Sequence, residues 1–135
     1  MIVVDTNVIA SLWVPNDMDE LVYKVLEKDA DWIAPLLWRS EFRNVLSIYL
    51  RSDILTFPIV LQSIEEAEQV MDSKEFEVNS TQVLSFVSDS SCSSYDCEFI
   101  ALADDFDIRL ITFDKKIINK FPEIAMHPKQ FIAQV

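Results

Sequence analysis

Twice in this chain a strand-like segment ends in an aspartate: the apolar run Ile2-Val3-Val4 leads into Asp5, and Ile108-Arg109-Leu110-Ile111-Thr112-Phe113 leads into Asp114. Ile2-Val3-Val4, with no polar residue, predicts a strand buried on both faces, which is the signature of a parallel sheet, and Ile108 to Phe113 is the best strand candidate in the chain. Parallel strands need long crossovers, and the intervening sequence supplies them with helical periodicity. Asp5-Thr6-Asn7 offers capping groups before Val8, Ile9 and Leu12, and Pro15-Asn16-Asp17 breaks that short helix. Leu21, Val22, Val25 and Leu26 mark a second helix, ahead of a short extended piece at Trp32-Ile33-Ala34-Pro35. Trp38, Phe42, Val45, Leu46 and Tyr49 mark a third, and Val60, Ile64, Ala67 and Met71 a fourth. Phe76-Glu77-Val78 is a weak strand candidate, and Val83, Leu84 and Val87 suit another short helix. The serine-rich loop Ser88 to Ser94 feeds a helix with Phe99, Leu102, Ala103 and Phe106 on its core face. Lys115 to Lys120 reads as a short helix and Ile124 to Met126 as an extended piece. The alternation predicts one α/β domain over residues 1–135 with a mostly parallel sheet.

Several function classes are excluded before any chemistry is considered. The chain has no glycine, so neither a phosphate-cradling P-loop nor a dinucleotide-binding fingerprint can be written. Cys92 and Cys97 are the only cysteines and are expected to be free thiols, while His127 is the only histidine, which disfavours a zinc site. No apolar run approaches the roughly 18 residues needed to cross a bilayer, and Met1 to Asp5 lacks the features of an export signal. A cytoplasmic protein without membrane contact is expected. The net charge of −12 argues against broad, non-specific nucleic-acid binding, because the chain's own field repels phosphodiesters. A local site remains open, since a bound divalent cation supplies positive charge inside an acidic pocket.

In open parallel sheets functional groups gather beyond the carboxyl ends of the strands, where Asp5 and Asp114 are expected. Glu41 lies along the edge of the apolar face of the third helix, three residues from Asn44. Asp96 falls in the first turn of the helix that follows the serine-rich loop, where a helix dipole favours negative charge. Packed together, these four carboxylates repel one another unless a hard cation such as Mg²⁺ or Mn²⁺ holds them. Such a site suits metal-assisted hydrolysis of a phosphodiester. Asn7, Thr112 and Asn44 are then companions that orient ligands or substrate. Six of the 11 basic residues lie near the proposed ligands in sequence: Arg39, Arg43 and Arg51 around Glu41, and Lys115, Lys116 and Lys120 after Asp114. Of these, Arg39, Arg43, Lys115 and Lys116 are candidates to contact substrate phosphate. Each acid also has an ordinary structural role open to it: helix capping for Asp5, Asp96 and Asp114, and a surface ion pair with Arg39 or Arg43 for Glu41.

Taken in order, the apolar run with Asp5-Thr6-Asn7, Ser40-Glu41 leading a helix, Ser94-Tyr95-Asp96 with Ala101-Leu102-Ala103, and Leu110-Ile111-Thr112-Phe113-Asp114 resemble the PIN domain family. The resemblance covers essentially the whole chain, and the length is similar to VapC-type toxins of toxin-antitoxin pairs. It implies a three-layer α/β/α sandwich with a central mostly parallel sheet, Mg²⁺- or Mn²⁺-dependent endoribonuclease activity on RNA, a homodimer, and an antitoxin partner that blocks the site. Asp5, Glu41, Asp96 and Asp114 match the family's acidic ligand positions, with Asn7 and Thr112 as polar companions. Asp107-Ile108 departs from the family pattern, standing where relatives commonly have a glycine turn, and the charge is unusually acidic. A phosphatase of the haloacid-dehalogenase type needs a second aspartate where this chain has Asn7, and a phosphoacceptor receiver needs a mid-chain strand-end aspartate that Asp53 does not provide. A PIN-like binding or regulatory module, its acidic pocket filled by a basic partner, is the alternative from another class.

Overall fold

Residues 1–135 are described by a computed structural model. Five strands pair in parallel in the order β3-β2-β1-β4-β5: β1 (Ile2–Val4), β2 (Trp32–Pro35), β3 (Glu75–Phe76), β4 (Leu110–Ile111) and β5 (Ala125–Met126). Eight helices accompany them: α1 (Thr6–Ala10), α2 (Asp19–Lys28), α3 (Trp38–Arg51), α4 (Phe57–Val70), α5 (Ser80–Ser88), α6 (Ser94–Phe106), α7 (Lys115–Lys120) and α8 (Pro128–Ala133). Every residue of β1, β2 and β4 is buried, which is why their sequences show no polar alternation.

The strand order carries the architecture. From β1 the chain steps outward to β2 and β3, then returns past β1 to β4 and β5. Because parallel crossovers are right-handed, steps in opposite directions place their helices on opposite faces of the sheet. The result is the α/β/α sandwich that the family resemblance implied, with the reversal of direction lying between β1 and β4. One contiguous cluster of 31 buried residues forms the core. Within it, fully buried Trp38 and Phe42 of α3 stack at 5.9 Å, so truncating Phe42 to alanine is expected to cost about 3–5 kcal/mol.

Several elements differ from the sequence reading. The last strand candidate, Ile108 to Phe113, shrinks to Leu110–Ile111, because the Ile108 N–H is spent on the Ala103 carbonyl in closing α6. The third strand begins at Glu75 rather than Phe76 and ends before Glu77. Helix α8 was not foreseen: Pro128 sits at its first position, and His127 caps it by accepting from the Lys129 N–H while Gln130 reaches back to the His127 N–H. The missing glycines are felt at Asp53, Ser73 and Asp107, which take positive φ of 57°, 62° and 53° just past α3, α4 and α6. Asp107 is a left-handed helix C-cap, the position glycine favours, and it stands where the family resemblance placed a glycine turn. No helix is long and apolar enough to cross a membrane.

Candidate active site

The β1–β4 register fixes the first contact of the site. Val4 pairs with Ile111, so the next residues along, Asp5 and Thr112, emerge side by side at the carboxyl ends of the two central strands. The Asp5 N–H donates to the Ile111 carbonyl, and the Thr112 hydroxyl donates to Asp5 Oδ2 at 2.7 Å. Thr112 is fully buried, and its Oγ1 also accepts from the Asp114 N–H at 3.0 Å. One hydroxyl thus ties the two strand-end aspartates together. Both aspartates also serve the following helix, Asp5 Oδ1 accepting from Thr6 N and Asp114 Oδ1 from the N–H groups of Lys116 and Ile117. Capping a helix therefore leaves each aspartate beside the other at the sheet's carboxyl edge.

Glu41 is in the first turn of α3 and is held by Thr6, whose buried hydroxyl donates to Glu41 Oε1 at 2.7 Å. Asp96 is in the first turn of α6, where Ser93 rather than Asp96 provides the cap, accepting from the Asp96 N–H at 3.1 Å. Asp96 keeps its carboxylate free of that task. All four acids line one cavity of about 480 Å³, together with Thr6, Asn7, Ser40, Asn44 and Tyr95. The cavity opens at the β1–β4 reversal, the place where open parallel sheets bind ligands.

Electrostatics separate the four. Burial, opposed by the Thr112 hydrogen bond and reinforced by the charges of Glu41 and Asp96, raises the Asp5 pKa from 3.8 to about 6. Burial also raises Glu41, against the Thr6 hydrogen bond, and the negative charges of Asp96 and Glu98 push it in the same direction. Asp5, Glu41 and Asp96 thus feel one another, and no cation is paired with any of them. The donor set of carboxylates, hydroxyls and amides, with no thiol or imidazole, has the chemistry a hard cation takes. No three acidic, histidine or cysteine side chains are drawn close enough to chelate one ion as they stand.

The basic candidates fare unequally. Arg39 is not available to phosphate: it bridges Glu75 at 2.6 Å and Glu68 at 2.6 Å, and Trp38 donates to the same Glu75 oxygen. Arg43 borders a different hollow, between α3 and α4. Lys115 and Lys116 are exposed and make no ion pair, and Lys115 lines a second cavity that shares Asn7 with the first. Thr6 and Tyr95 were missed as site residues. Thr6 is one residue past Asp5 and points to its α3 partner, which only tertiary structure reveals.

A protein-family model described as the PIN domain matches residues 2–124. The chain belongs to the PIN domain family. Solved structures agree on this PIN fold. PAE2754 from Pyrobaculum aerophilum superposes with a TM-score of 0.75 at 15% identity, over 97% of this chain and 85% of that one. FitAcB from Neisseria gonorrhoeae gives 0.72 at 17% identity, over 96% and 99%. A FitAB structure bound to an IR36 DNA fragment gives 0.72 at 18%, over 95% of both chains. No match is found among curated protein sequences.

Proposed function

We propose that this PIN domain is a Mg²⁺- or Mn²⁺-dependent endoribonuclease, acting as the toxin of a toxin-antitoxin pair. The observation that carries the reading is the unpaired set of Asp5, Glu41, Asp96 and Asp114 around one cavity at the sheet's reversal point. PIN domains are generally nucleases, which supports phosphodiester hydrolysis as the reaction class. These four carboxylates would hold the ion, which when bound polarises a water and offsets charge on the phosphate. Thr112 orients the Asp5 carboxylate and Thr6 orients Glu41, each by donating to one carboxylate oxygen. The amides of Asn7 and Asn44 in the lining position the phosphodiester, and Lys115 of the neighbouring cavity, with exposed Lys116 beside it in sequence, meets the RNA as it leaves. Partly buried Leu37 and Val45 supply the apolar part of the lining.

Incubating the protein with structured RNAs and Mn²⁺ tests the activity, with Asp5→Asn as the control. Cleavage confined to the wild type supports it, and equal cleavage by both proteins sinks it. The toxin role is supported by the likeness to FitAcB and FitAB. It predicts that expression arrests growth in the wild type and not in Asp5→Asn. Homodimer formation belongs to the same reading, and the apolar residues left exposed along α3 and α4, Ile48, Phe57, Ile59 and Leu61 among them, are available to an interface. Light scattering checks it.

The second reading is a binding module whose acidic pocket takes a basic partner. The net charge of −12 and the lack of three acids within chelating reach favour it. Tight binding of an arginine-bearing peptide with no cleavage of any RNA is the outcome it predicts.

A further inference from the structure

Beside the carboxylate cavity lies a second one of about 430 Å³, which shares Asn7 and Val45 with it. It has no acidic side chain in its lining, although the chain carries 23 of them. Its walls are apolar or aromatic, contributed by Ala10 and Val14 from the α1 region, Tyr49 of α3, and Phe113 from the end of β4. The rim is braced rather than loose. The Asn16 amide donates to the Ser11 and Val14 carbonyls and accepts from the Met18 N–H, and the Tyr49 hydroxyl donates to the Pro15 carbonyl.

Three polar groups at this cavity have unspent hydrogen-bonding capacity. The Asn7 side chain is exposed and engaged by nothing else in the fold. Lys115 has no carboxylate partner. His127 uses Nδ1 to accept from the Lys129 N–H, so the neutral ring carries its hydrogen on Nε2 as a donor. Burial and the nearby Lys129 and Lys115 hold the imidazole below its usual pKa and keep it neutral near pH 7. The His127 and Phe113 rings meet edge to face at 5.4 Å, which fixes their orientation.

A cavity lined by apolar and aromatic side chains, by the Asn7 amide and His127 imidazole as donors, and by the Lys115 cation matches a flat heterocycle with ring acceptors joined to a phosphate. We propose that this cavity is a nucleobase subsite, taking the base of the nucleotide next to the scissile phosphate while Lys115 meets the adjoining phosphate. The inference rests on the reading that the carboxylate cavity cleaves RNA. It also resolves how so acidic a chain gains hold of a polyanion: stacking and apolar burial of a base draw affinity from contacts that salt does not screen.

The experiment is single-turnover cleavage in Mn²⁺ of an RNA the wild type cuts, with one nucleotide at a time on either side of the cut made abasic. Loss of one base adjacent to the cut is expected to lower kcat/KM tenfold or more, and losses elsewhere less than threefold. Ala10→Met, which enlarges a side chain of the cavity lining, is expected to slow the intact RNA to the abasic rate, so that the two no longer differ. Lys115→Met, at an exposed position where folding is not at stake, should raise KM several-fold and flatten the salt dependence. Cleavage with a flat abasic profile overturns the subsite alone. Failure to cleave any RNA overturns the nuclease reading and the subsite with it.

Discussion

Helix α3 carries two charged regions that face opposite fates. At one, Arg39 is clamped between Glu68 and Glu75, and Glu75 is held below the usual carboxylate range by Arg39, with Trp38 adding a third contact. Two residues on, Glu41 looks into a cavity with Asp5 and Asp96, has no cation, and is pushed above that range by burial. The first arrangement is closed: every charge has a partner and nothing is left to bind. The second is open, since a group of partly buried acids without a counter-charge is stable only protonated or with something positive brought from outside. The difference separates structure from function more cleanly than proximity in sequence, which grouped Arg39 with Glu41.

The widest gap between the two regions should appear in activity. Asp5→Asn is expected to lower RNA cleavage in Mn²⁺ by at least about a thousandfold, by analogy with the loss of a group that acts on the reacting centre. Arg39→Ala should leave cleavage within about threefold once folded, and a comparable loss in both variants would erase the distinction. Stability should show the reverse order. Arg39→Ala leaves Glu75, whose side chain is only 10% exposed, without its partner, and should cost about 2–4 kcal/mol by urea denaturation.

Metal should sharpen the contrast next. Mn²⁺ at about a hundredfold over its Kd is expected to stabilise the wild type by about 2.7 kcal/mol and Asp5→Asn by much less. Calorimetry with and without the ion reads this, and equal shifts in both proteins would place the ion elsewhere. The pH dependence comes from the same region. The folded-state pKa of Asp5 lies above its unfolded value, so its contribution is fully present below pH 3.8 and is lost as pH rises through about 6. In metal-free protein Asp5→Asn should therefore melt higher than wild type at pH 7.5, by on the order of 1–3 kcal/mol. The gap should close by pH 4. A melting difference that does not change with pH would deny that Asp5 ionises against its surroundings.

How much of this was legible beforehand follows from the range of each interaction. Asp5 was readable because a buried strand leaves an unalternated apolar run, and the residue after it is at the sheet's carboxyl edge; Asp114 was readable because it closes a strand-like segment, although the strand itself ends at Ile111. Glu41 and Asp96 were readable only through the ordered family motifs, since nothing local distinguishes a cavity-facing acid from a solvated one. Arg39 was misread because its partners lie 29 and 36 residues away, on α4 and β3. Thr6 escaped because its hydroxyl serves a helix 35 residues on. Helix α8 was hidden by Pro128, which reads as a breaker inside a helix but as a good first residue at its start.

The left-handed residues Asp53, Ser73 and Asp107 have a consequence for the other side of the folding equilibrium. Each costs the native state some local strain that a glycine would relieve. Yet a chain in which every residue bears a Cβ also explores fewer backbone conformations when unfolded, so it surrenders less freedom on folding. The molecule exchanges ease at three helix ends for a smaller disordered ensemble along its whole length.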